Sequence, residues 1–396
     1  MFIKKEYDIY DEEFCKLTSY DDQYNQIILE HNKKWRTTEK TDGYCIEKYN
    51  DRIDEYNKQN KYKIILNKLV TVKNKKTKLN CIEDEIKKFA LYTTNMGKID
   101  LHVLTKINGN DKVLIWIDGL NASFLHYHVT SKLPNLDIIT VDLRRCGRSK
   151  NDDTLPHYCS NFKEYFEELD MIIEEFNCAQ YKEIILYGHS TGGLIVTLYA
   201  NYRQKMINNK LQFRVILNSP FFEIHNPGQP YLLFILKYII YYISKYIIYY
   251  LDRYFKLNLY LIKLVRGGTI NSYVLAKNRN YYVNGLLSFA RDIPLTLGFL
   301  TNVIRYQSLL RRNKIQIKYP LLVLHSDKTG ENDMLTKCDC ISDTVLNIEH
   351  IKKYSAIISC SDDIRIIEVK NGCHDVFLST KEVTDKVIKV INNFVC

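Results

Sequence analysis

No disulfide framework is written into this sequence. Its 11 cysteines are odd in number and irregularly spaced, which fits reduced thiols in a cytosol better than a set of bridges. Cys338 and Cys340 form a Cys-x-Cys step without a second pair at zinc-ligand spacing, so no metal and no cofactor is expected. The opening residues, MFIKKEYDIYDEEF, lack an apolar signal core and turn acidic within a dozen positions. Secretion is therefore not expected, and a cytoplasmic location is. Charge of one sign is not concentrated either. The net charge of +10 rests on 26% charged residues of both signs, with lysine runs only near 61–88, so nucleic acid is not an expected partner.

What the chain does contain is length and alternation. Its 396 residues suffice for one large α/β domain with insertions. Residues 1–85 are polar, rich in Tyr, Lys, Asp and Asn, and patchy in apolar period; they read as an N-terminal extension without assigned activity. From residue 86 to 396 the pattern changes. Phe89–Thr93 and Ile99–Thr105 predict a hairpin around Asn95-Met96-Gly97. Apolar runs at 113–117 and 136–141 predict strands covered on both faces, and 183–187, 213–217, 321–324 and 364–369 predict further strands. Between them, Phe162, Tyr165, Phe166, Leu169, Ile172, Ile173 and Phe176 recur at helical steps, with Ser160 or Asn161 able to cap the start. A closing helix from about Lys381 carries Val383, Val387, Ile388, Ile391 and Phe394. The alternation predicts a mainly parallel, doubly wound sheet with reactive groups at the carboxyl ends of its strands.

One stretch organises the rest. Tyr187-Gly188-His189-Ser190-Thr191-Gly192-Gly193 is entered by an apolar strand-like run and left by a helix-like one. In that setting G-x-S-x-G predicts a sharp turn with Ser190 at its tip and the Thr191 amide aimed at an oxyanion. A serine needs a base, and the base needs an orienting acid. His374, on the Gly-containing loop after the final strand, has the address of the base. His189 reads as packing beside the nucleophile. For the acid, Asp343, in Ser342-Asp343-Thr344-Val345-Leu346, is preferred if 327–342 is an excursion. Asp327, directly after its strand, is the competing choice; its other role would be holding the loop. A second oxyanion donor is expected in the Leu120 amide, after the strand ending at Ile117.

The segments LIWIDGLNASFLHYH, DLRRCGRS, GHSTGGLIVTLYA, VILNSPFF, PLLVLHSD, SDTVLN and GCHDVFLS together resemble the successive blocks of the α/β-hydrolase superfamily. They are most similar to its serine aminopeptidase-like group, which includes monoacylglycerol lipases and lysophospholipases. The resemblance spans roughly 85 to 396, less the middle of an insertion at about 220–318. It implies Ser190, Asp343 and His374 as a triad, the amides of Leu120 and Thr191 as an oxyanion hole, and the insertion as a cap over an acyl pocket. Asp118 departs from it, standing where the group usually has His before the Gly; this puts the local loop geometry in question more than the chemistry.

Within the insertion, 231–251 carries a near-repeat, KYIIYYIS then KYIIYYLD. It is long enough to span a bilayer, but spanning would put the strands on either side of it on opposite sides of a membrane. A lid helix, buried or lying on a membrane surface with Lys237 and Lys245 at the interface, is the expectation. Arg144, Arg145 and Arg148 are read as loop-fixing arginines rather than a phosphate site. The activity expected is metal-free hydrolysis of carboxylic esters, lipid esters foremost. Amide or peptide hydrolysis and an inert binding protein are the rivals.

Overall fold

Period-two alternation within each apolar strand decides the architecture. In the computed structural model, which describes residues 86–93, 97–120, 126–146, 149, 159, 161–206, 211–224, 263–266, 294–330 and 341–396, Val113, Ile115 and Ile117 face one core while Leu114 and Trp116 face another. Val215 and Leu217 oppose Ile216 in the same way. A sheet with two apolar faces must be covered on both.

The strands are β1 (Ile86–Thr93), β2 (Gly97–Lys106), β3 (Lys112–Ile117), β4 (Asp137–Asp142), β5 (Glu183–His189), β6 (Phe213–Asn218), β7 (Lys263–Arg266), β8 (Pro294–Thr296), β9 (Leu321–Ser326) and β10 (Ile364–Val369). The main sheet has eight strands in the order β1-β2-β4-β3-β5-β6-β9-β10. Only parallel pairings join its members from β4 through β10 in that order, and β2 runs antiparallel to β4. The short β7 and β8 form a separate antiparallel pair. The expected doubly wound parallel sheet is thus observed.

Helices α1 (Tyr127–Thr130), α2 (Lys163–Glu175), α3 (Thr191–Arg203), α4 (Leu297–Arg311), α5 (Ile348–Ile358) and α6 (Lys381–Val395) complete the described elements. The faces of α2, α3, α4 and α5 share one core, and α6 supplies Val387, Ile388, Ile391 and Phe394 to the other. Asn161 caps α2 as its position suggested: its side chain accepts from the Lys163 amide, and Glu164 reaches back to the Asn161 amide. This is the reciprocal arrangement of a capping box. Helix α4 lies within the span read as insertion, yet it buries Phe299, Val303, Tyr306 and Leu310 in the main core. The extension at 1–85, the apolar stretch at 231–251 and Arg148 lie outside the described residues. Among the described residues, no helix is long and apolar enough to cross a membrane.

The loop after β4 is held by charge. Arg144 is fully buried and pairs with Glu168 and Glu164, while Arg145 pairs with Glu164. Burial pushes the Glu168 carboxyl up, opposed by Arg144, and its pKa stays above the ordinary carboxylate range. Both arginines therefore do the loop-fixing expected of them.

Candidate active site

β5 delivers its last residue, His189, to the carboxyl edge of the sheet, and α3 starts two positions later. Ser190 spans the reversal with φ 50° and ψ −115°, a backbone conformation that L-residues adopt only under constraint. The constraint is visible. The Ser190 amide donates to the Asn218 carbonyl at 2.9 Å, and the Ser190 carbonyl accepts from Leu194 and Phe221. Close backbone approach makes the turn possible: a Cβ on Gly188 would stand 2.5 Å from the Gly192 carbonyl oxygen, and one on Gly192 would stand 2.5 Å from that of Ile117. Gly188→Ala is therefore expected to destabilise the fold by about 1–3 kcal/mol, seen as a lower denaturant midpoint with an unchanged slope. An unchanged midpoint would contradict this packing.

His374 stands on the loop after β10, buried, with Nδ1 3.0 Å from Asp343 Oδ2 and 3.1 Å from Oδ1. A carboxylate only accepts, so Nδ1 carries the proton and Nε2 is left as the basic nitrogen. Asp343 is fully buried and its Oδ1 also accepts from the amides of Val345 and Leu346. Burial pushes its carboxyl up, but His374 and those two amides outweigh it and hold the pKa below the ordinary range.

The way Asp343 arrives there explains why two acids competed in the sequence. Gly330 donates to the Asp343 carbonyl at 2.7 Å and Asp343 to that of Lys328 at 2.9 Å, so Thr329 and Asp343 stand side by side in a parallel bridge. Asp327 instead accepts from the Asn371 amide at 2.9 Å, tying the loop that carries His374 from outside.

The remaining expected residues converge on the same edge. Leu120 and Thr191 both line one small pocket together with Ile117, Gly119, Leu143, Tyr165, Ile195 and Phe299. Thr191 is the first residue of a 13-residue helix, and amides in a helix's first turn have no carbonyl partner one turn back. His189 packs beside His374, their ring centroids 5.0 Å apart. Burial drives the His189 pKa down to about 4, so the ring is neutral at pH 7. Among the described residues no side-chain hydrogen bond joins Ser190 to His374. Such contacts are often long before substrate binds.

A second buried polar cluster adjoins this one, and sequence reading missed it. Trp116 Nε1 donates to Asp118 at 2.8 Å, His126 Nδ1 lies 3.5 Å from Asp118, and His126 Nε2 lies 2.6 Å from Asp375. Asp375 directly follows His374, the one signal that could have drawn attention to it. Burial raises the Asp118 pKa to about 6 despite the pull of His126 and Trp116. The fold thus holds this proton more tightly than the unfolded chain does. Its contribution to stability falls as pH rises between about 4 and 6 and stays low above that. Asp118→Asn keeps an oxygen for Trp116 and loses the buried charge, while His126 loses a countercharge. The net expectation is a gain on the order of 1 kcal/mol at pH 8, shrinking toward pH 4. Thermal melts at the two pH values check it, and a variant less stable at pH 8 would refute it.

The sequence model of the family described as serine aminopeptidase, S33, matches residues 110–377. The chain belongs to this S33 hydrolase family. The match runs from just before β3 to the turn after His374, so it contains every residue of the site described above. The solved structures resembling this S33 member are α/β hydrolases. The monoacylglycerol lipase of Paleococcus ferrophilus superposes with a TM-score of 0.52 at 19% identity, covering 74% of this chain and 98% of that one. A soluble variant of the Saccharomyces cerevisiae monoglyceride lipase, in complex with a substrate analogue, does so with 0.52 at 16%, covering 82% and 98%. No curated protein matches the chain by sequence. The family match and the shared fold make this S33 member an α/β hydrolase.

Proposed function

We propose that the protein hydrolyses carboxylic esters, lipid esters such as monoacylglycerols or lysophospholipids foremost, through an acyl-enzyme on Ser190. The observation that carries this reading is the buried Asp343–His374 contact beside the strained Ser190 turn. In the mechanism we infer, His374 Nε2 takes the Ser190 proton as Oγ bonds to the ester carbonyl carbon. The resulting oxyanion is held by the Leu120 and Thr191 amides. Collapse breaks the carbon–oxygen bond to the alcohol, which leaves with the proton from His374. Water then attacks the acyl-enzyme with His374 again as base, releasing acid and restoring Ser190. Asp343 keeps the imidazole in its tautomer and offsets the imidazolium charge.

The pocket beside Leu120 and Thr191 is lined by Ile117, Leu143, Ile195 and Phe299 together with Asp118 and Asp142, which supports an uncharged acyl group over an anionic one. Two of the similar structures are a monoacylglycerol and a monoglyceride lipase, which supports the lipid reading. The tyrosine-rich 231–251 stretch supports peripheral contact with a membrane surface. The irregular cysteines support a cytosolic setting. The family's own description favours a second reading, cleavage of aminoacyl amides. Turnover of p-nitrophenyl esters of increasing acyl length, set against aminoacyl p-nitroanilides, tests the two. Faster cleavage of esters from butyrate upward is expected, and amide turnover exceeding every ester would replace this reading with the second.

A further inference from the structure

Asn218, the last residue of β6, is fully buried, and its carbonyl and both side-chain polar atoms are hydrogen-bonded. Its carbonyl takes the Ser190 amide at 2.9 Å. Its side-chain nitrogen donates to Asp375 Oδ1 at 2.9 Å and to the Tyr187 hydroxyl at 2.8 Å, and its side-chain oxygen accepts from the Val376 amide at 3.3 Å. Asp375 in turn caps the short helical turn at 376–378 through the Phe377 amide, and its second oxygen meets His126 Nε2 at 2.6 Å. One asparagine thus holds the main chain of Ser190 on one side and the two residues after His374 on the other. The clamp on Asp375 is closed from behind by His126.

Fold stability alone does not call for this cluster. His126, Asp118 and Asp375 are three buried titratable groups, and apolar replacements of such clusters are often neutral or stabilising. The other titratable groups around His126 are His128, on helix α1 that His126 precedes, with a ring 6.0 Å away, and, from β5, His189, 4.0 Å from Asp375, and Tyr187. None of them adds a further anion for His126, whose closest partner is Asp375 at 2.6 Å, with Asp118 at 3.5 Å on the other ring nitrogen. What the cluster does provide is registration between two loops that come from distant parts of the chain.

We propose that Asn218, Asp375 and His126 are positioning residues that set the spacing between Ser190 and His374. The proposal rests on the reading of those two as nucleophile and base. A displacement of about 1 Å between reacting groups costs about 100-fold in rate, so a brace that fixes both loops acts on turnover rather than on affinity.

The test compares Asn218→Ala, His126→Ala, His126→Gln and Asp375→Asn with the unaltered protein. It reads kcat and KM on p-nitrophenyl butyrate, the rate of fluorophosphonate labelling, and a thermal melt. For Asn218→Ala and His126→Ala, kcat and labelling rate are expected to fall about 100-fold with KM changed by less than about threefold. A glutamine at 126 can present an N–H to Asp375 where the imidazole did. His126→Gln is therefore expected to recover kcat to within about tenfold of the unaltered protein. Folded alanine variants with unaltered kcat, or a glutamine variant no better than alanine, would overturn the brace. If the alanine variants do not melt cooperatively, Asp375→Asn carries the same test: a lower kcat at constant KM supports the proposal, and an unchanged kcat overturns it. Absence of labelling in the unaltered protein, or labelling that survives Ser190→Ala, strikes the underlying reading instead.

Discussion

Ser190→Ala is expected to lower kcat/KM for a p-nitrophenyl ester by about 10⁶-fold and to abolish fluorophosphonate labelling. In free energy that is about 8 kcal/mol of transition-state stabilisation. The size follows from what the proposed mechanism asks of Ser190: a nucleophile at the tip of a turn where φ is 50°, with an amide at Thr191 directly following. No neighbouring group can substitute. His189 is buried and neutral, and Cys373, the cysteine next to His374, is buried with its sulfur turned to the Leu378 carbonyl. The substitution removes one oxygen from an already strained turn, so the fold is expected to persist and a thermal melt should confirm it. Activity within about tenfold of the unaltered protein would remove Ser190 from the mechanism.

Asp343→Asn is expected to cost about 10⁴-fold in kcat, while Asp327→Asn stays within about tenfold. The reason is orientation. Oδ1 of residue 343 accepts two amides, from Val345 and Leu346. An asparagine there keeps its oxygen on those donors and must turn its NH₂ toward His374. Nδ1 then becomes an acceptor, the proton moves to Nε2, and the base is lost without displacement of the ring. Asp327 makes its bond to the Asn371 amide, which an asparagine oxygen can also accept. A loss on Asp327→Asn matching that on Asp343→Asn would reverse the assignment. The same pair makes stability depend on pH in a definite direction. Because the folded Asp343 pKa lies below its unfolded value, its contribution is present above about pH 4 and is lost as pH falls through the folded pKa.

Much of this was legible in the sequence because it is local. Gly188, Ser190 and Gly192 lie within five residues, and the backbone approach that forbids side chains at the two glycines is made largely by that segment and the neighbouring β3. The apolar runs at 113–117 and 321–324 announced strands, the first of them expected to be covered on both faces, and both strands are buried. The acid was legible only as a choice, since Asp327 has the better distance from its strand and Asp343 the better local pattern. The bridge between Thr329 and Asp343 makes the length of the intervening segment irrelevant.

The brace was not legible at all. Asp375 lies 249 residues from His126 and 157 from Asn218, and contacts at that separation leave no period or spacing to read. Nor was the role of α4, whose residues fall in a span of insertion-like composition yet close the main core.

The sequence alone determined the strand–turn–helix around Ser190, the parallel doubly wound sheet and the address of His374. Each follows from backbone sterics or from the alternation of apolar side chains over a few residues. Tertiary structure decided which carboxylate faces His374, and it assembled Asn218, Asp375 and His126 into one buried network. Those outcomes depend on where the ends of separate strands meet in space, and pairing between strands, not the order of residues along them, sets that meeting point.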